Sequence, residues 1–245
     1  STRGLQTLGL ALGGAGGIER LHFLLERAFD GPDISLYFLR GFENSFSWDT
    51  NPIYAILHEG IYVSGAGEAS AWSAERIRGE FGDRFDAAAA VAAGRAVPFT
   101  GEMVFPFMFD EVAALQPLKE AAGLLAAKSD WSPLYDEGVL RANTVPAAAA
   151  AYFEDMYVEF ALSQRTAGVI KGCRMWVTNE YLHSGVRENG GGCSRGCSGW
   201  PETRFPSGKN LARSEVQGAI PSGNVGALWV VFERRGGQEV GADVR

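Results

Sequence analysis

Apolar positions recur with helical spacing through much of the first 130 residues. IERLHFLLERAF, Ile18 to Phe29, sets Leu21, Leu24, Leu25 and Ala28 on one face and is closed by D-G-P. DTNP at Asp49 to Pro52 is a helix start with proline in the first turn, leading into PIYAILHEGIY. WSAERIRGEF and DEVAALQPLKEAAGLLAAK predict two further helices, the second kinked at Pro117. FTGEMVFPFMF lies between them. It is too aromatic for a surface loop and too broken by Pro106 for an ordinary helix, so it is expected to line something.

The pattern changes after Pro133. VPAAAAAYFEDMY opens with a run of small apolar residues, read as a strand over Ala147 to Phe153 on context, because alanine is a poor strand former. LSQRTAGVI then reads as a helix and CRMWVT as a second strand. Strand, helix, strand at this spacing predicts a β-α-β unit with a parallel pair. From Glu188 on, Gly, Ser, Arg and Pro dominate without a sustained period, and low order is expected. VGALWVVF is the one strong apolar run there, able to pair with another strand.

The chain has 245 residues, 46% hydrophobic and 21% charged, which suits a globular protein with a sizeable core. A net charge of −7 argues against a nucleic-acid partner. No apolar run is long enough to span a membrane. The opening STRGLQTLGL lacks a charged-then-apolar leader and reads as a fragment or a processed chain. Cys173, Cys193 and Cys197 lack the additional ligands of a zinc site, so reduced thiols and a cytoplasmic location are expected, with no metal and no cofactor. LGGAGG lacks the order of a dinucleotide-binding loop.

Asp155 closes the first strand and His183 follows the second. Functional side chains gather at the carboxyl ends of strands in open α/β sheets, and an acid followed by a histidine in these places can form two members of a hydrolytic triad. His22 and His58 fall within helical segments and read as packing or surface residues. Glu102, inside the aromatic stretch, either faces water or presents a charge to a small ammonium-bearing substrate. GCSRG matches G-x-S-x-G at Ser194, but RENGGG upstream cannot form a buried strand and CSGWP downstream opens no helix. Ser194 is therefore not expected to be a nucleophile.

The stretches SWDTNPIYAILHEGIY, GEMVFPFMF, VPAAAAAYFEDMYVEFALS and WVTNEYLHSGVR resemble the C-terminal half of the proline iminopeptidase (prolyl aminopeptidase) family, over residues 5 to 187. These are α/β-hydrolase serine peptidases with a helical cap. The resemblance implies a partial α/β-hydrolase: a cap region with its return connection over 1–135, a terminal core β-α-β unit over 136–187, and a divergent tail over 188–245. It further implies that Asp155 and His183 are the triad acid and base, and that Glu102 helps to hold the substrate's free amino end. The expected activity is release of N-terminal proline from small peptides through an acyl-enzyme, with this chain lacking the nucleophile. A non-catalytic helical module that binds peptides or a partner is the alternative, with self-association through exposed sheet edges.

Overall fold

The computed structural model describes residues 1–198 and a strand at 229–232. Helices α1 (Thr2–Gln6), α2 (Gly17–Glu26), α3 (Leu36–Phe46), α4 (Ile53–Leu57), α5 (Ser73–Glu80), α6 (Ala87–Ala92), α7 (Met108–Glu111), α8 (Lys119–Ala127) and α9 (Glu137–Arg141) precede the main sheet. A short hairpin, β1 (Phe29–Asp30) with β2 (Asp33–Ile34), and several 3-10 turns lie between them. Strand β3 (Ala147–Tyr152), helix α10 (Phe160–Val169) and strand β4 (Cys173–Thr178) follow, then α11 (Gly185–Ser198) and β5 (Trp229–Phe232). The chain is thus mixed helix and strand.

Side-chain caps fix several helix starts. Ser35 accepts from Phe38 N, Asp86 from Ala89 N and Glu159 from Leu162 N, each satisfying an otherwise orphaned donor. The helix read as running to Phe29 ends at Glu26, and the chain turns instead into the β1–β2 hairpin, with Gly31 at φ +61. Pro117 does more than kink its helix. The chain leaves helical geometry after Glu111, and the proline opens a short 3-10 turn, Gln116–Leu118, that leads into α8. Without an N–H, proline fits a first turn better than a helix interior.

FTGEMVFPFMF supplies the core of the helical region. Val104, Phe105, Met108 and Phe109 are all buried, with Ala55, Leu115 and Ala122 in the same cluster. Phe107 and the exposed Met103 mark its outer side.

The main sheet has the order β4-β3-β5. β3 and β4 are parallel, in register from Ala147↔Cys173 to Tyr152↔Thr178, while β5 pairs antiparallel to β3. VGALWVVF therefore contributes a strand. Alanine is tolerated in β3 because this central strand has a helix on each face. Ala147 and Ala149 pack with Ala167 and Ile170 on one side, and Ala150 and Tyr152 with Cys193 on the other. Alternation of period two thus survives in side chains too small to announce it.

The stretch that loses its period at Glu188 is helical as far as Ser198, with non-helical dihedrals at Asn189. A Cβ at Gly196 would collide with the Trp176 ring, so the missing side chain lets α11 lie close against β4. The remainder of the tail, and the low order expected for it, lies outside the described residues.

Candidate active site

β3 and β4 end level, because Tyr152 pairs with Thr178, and the Phe153 amide donates to the Thr178 carbonyl at 2.9 Å. The loops that leave these ends therefore start side by side. Asp155 lies three residues beyond β3 and His183 five beyond β4, at the carboxyl edge of the parallel pair. There His183 Nδ1 and Asp155 Oδ2 are 2.8 Å apart.

The loop geometry holds the carboxylate. Its Oδ1 accepts the backbone N–H groups of Tyr157 (2.9 Å) and Val158 (3.1 Å), leaving Oδ2 for the imidazole. The Asp155 side chain is 5% exposed and that of His183 27%, so the acid is enclosed while the imidazole reaches solvent. With Nδ1 committed to the carboxylate, Nε2 is the nitrogen through which this pair can move a proton.

Glu102 is the third residue read from the sequence. It is exposed, yet close enough to the pair to feel both charges. Desolvation by its neighbours raises its carboxyl above the ordinary range; His183 pulls it down and Asp155 pushes it further up. Ser194 lies within α11, away from any strand-to-helix turn, and among the described residues no hydrogen bond joins it to His183. His22 sits on α2, edge-on to Phe23.

Three participants escaped the sequence reading. Glu59 is 1% exposed. One of its carboxylate oxygens accepts from Ser73 N at 3.3 Å, and the other, Oε1, has no partner. An unpaired buried acceptor is costly and marks a place where a cationic group would fit. Glu59 and Glu102 both raise the Tyr62 phenol, after desolvation, which sets the two carboxylates around one region. Tyr157 and Gly13 are the other two. The signal for Glu59 was present as an acid inside the apolar run YAILHEGIY; nothing in the sequence pointed to Gly13.

His58 hydrogen-bonds to Tyr62 Oη at 2.8 Å and is buried, which lowers its pKa to about 4. Its folded value lies below the unfolded one, so the unfolded chain takes up the proton first as pH falls. Stability is then lost from about pH 6.5 downward. A histidine-resolved NMR titration should show His58 neutral throughout pH 5 to 8, and a midpoint near 6.5 would contradict its burial.

No family model matches the chain. It is 51% identical over 186 residues to a proline iminopeptidase of Aeromonas sobria, and 36% identical over 185 residues to the proline iminopeptidase aneH of Aspergillus aculeatus. The chain is homologous to the proline iminopeptidases. The matches cover 76% and 74% of this chain but 42% and 40% of those proteins, so the chain spans less than half the length of these relatives. Kinship with proline iminopeptidases implies an α/β-hydrolase fold, in keeping with the mixed helix-and-strand architecture. Among the described residues, no helix is long and apolar enough to cross a membrane, and no group of three or more His, Cys, Asp and Glu could hold a metal.

Proposed function

We propose that this chain supplies the substrate-covering helical region and the acid–base end of a serine-type aminopeptidase that releases N-terminal proline from peptides. The 2.8 Å contact between His183 and Asp155, at the carboxyl edge of a parallel strand pair in a proline iminopeptidase relative, carries the reading. His183 Nε2 takes the proton of a serine hydroxyl as the hydroxyl oxygen attacks the prolyl carbonyl carbon. It returns that proton to the departing amine as the peptide bond breaks, and water then cleaves the acyl-enzyme by the same route. Asp155 orients the imidazole and stabilises its cationic form. Glu102, with the unpaired oxygen of Glu59 nearby, holds the ammonium of the substrate's first residue. The nucleophile belongs to sequence beyond this chain, and the chain alone is a partial α/β-hydrolase without turnover.

Two measurements test this. A fluorophosphonate probe should leave Ser194 of the isolated chain unlabelled, and labelling abolished by Ser194→Ala would place a nucleophile here after all. In a fusion where this chain replaces the segment of the Aeromonas sobria protein that it matches, proline p-nitroanilide should be hydrolysed and its N-acetyl derivative refused. Equal turnover of both would remove the ammonium-binding role, and a folded but inert fusion would remove the aminopeptidase reading.

A further inference from the structure

Tyr157 touches three parts of the site. Its backbone N–H donates to Asp155 Oδ1 at 2.9 Å. Its ring meets the His183 imidazole edge-on, with centroids 4.9 Å apart and planes at 65°. Its hydroxyl donates to the Leu10 carbonyl, 147 residues away in the helical region.

Gly13 completes the arrangement. A Cβ there would drive into the Tyr157 ring, so the ring rests directly on bare backbone. The Gly13 carbonyl also accepts the His183 N–H at 3.0 Å, and the Ala15 N–H donates to Ser184 Oγ at 3.0 Å. Residues 10–15 therefore grip the histidine loop by its backbone while holding the tyrosine that flanks its ring.

A single hydrogen bond from Nδ1 to Asp155 leaves the imidazole free to swing about that contact. A ring wedged against it removes this freedom, and small misplacements of a catalytic group carry large rate losses. We propose that Tyr157, seated in the cradle of Gly13, is a positioning residue that fixes the plane of the His183 imidazole and ties it to the segment at residues 10–15. The proposal rests on the reading of His183 as the base.

The test uses Tyr157→Leu, Tyr157→Phe and Gly13→Ala. In the isolated chain, labelled at histidine nitrogen, Tyr157→Leu should quicken solvent exchange of the His183 Nδ1 proton by about tenfold while His22 and His58 resonances stay in place. Tyr157→Phe keeps the ring and should produce a smaller change. In the fusion, Tyr157→Leu should lower kcat by about tenfold with KM retained. Unchanged exchange and unchanged kcat in a folded Tyr157→Leu protein would overturn the proposal. If Gly13→Ala fails to fold, the two tyrosine variants decide. The exchange measurement needs no turnover, so an inert fusion would sink the aminopeptidase reading and still leave the role of Tyr157 to be read from the imidazole.

Discussion

Asp155→Asn in the fusion is expected to lower kcat for proline p-nitroanilide by roughly 10⁴-fold with the fold intact. The hydrogen bonds around the carboxylate give the reason. Oδ1 accepts from Tyr157 N and Val158 N, so an amide at this position must turn its oxygen towards those two donors. Its NH₂ group then faces His183 Nδ1 across the present 2.8 Å contact. That nitrogen is forced to accept, the ring proton moves to Nε2, and the nitrogen meant to receive the nucleophile's proton has no lone pair to offer. His183→Ala should cost a similar factor by removing the base outright. Matched circular dichroism spectra would separate this loss from unfolding. A loss below tenfold would mean that the pair serves structure alone, a 2.8 Å contact that orders two loops without moving a proton.

The elements of this site differ in how much of them the sequence disclosed. Asp155 and His183 were legible because each follows a strand within a few residues, and a parallel pair brings such positions together whatever the details of packing. The β3 strand was harder: five alanines carry no strand preference, and only helices on both faces make them a core. Helix α11 was hidden for the opposite reason. Gly192 and Gly196 lower helix propensity, yet the close approach to Trp176 needs the absent side chain at Gly196. Long-range contacts left no local trace at all. Gly13 sits in a Gly-rich turn that reads as a plain loop, and its pairing with Tyr157 and His183 exists only in the folded chain. Glu59 looked like one acid among many until its burial put an unpaired oxygen on the inside.

Phe109→Ala should produce the largest loss of stability in the helical region, about 3–5 kcal/mol. The Phe109 side chain is 1% exposed and stands edge-on to Trp72, with centroids 5.6 Å apart. The cluster around it, with Phe105, Met108 and Leu115, is close-packed, and the surrounding helices α4, α5 and α8 cannot collapse independently into the space left behind. Leu124→Ala is the fitting control: Leu124 lies on α8 next to the same cluster but is 68% exposed, and its loss should stay within about 0.5 kcal/mol. Urea unfolding followed by fluorescence would report the difference as a fall in midpoint at constant slope. The consequence for the site follows from chain continuity. Glu102 stands two residues before Val104, a buried member of this cluster, and Glu59 sits one residue beyond the His58 that backs onto Glu102. A core that anchors Val104 and Phe109 thus sets where the two carboxylates stand. Loosening it should raise KM for a substrate with a free amine before it alters kcat, because the proposed ammonium contacts depend on that core while the Asp155–His183 pair is held by its own loops and by residues 10–15. A midpoint shift for Phe109→Ala no larger than that for Leu124→Ala would remove this cluster as the support of the site.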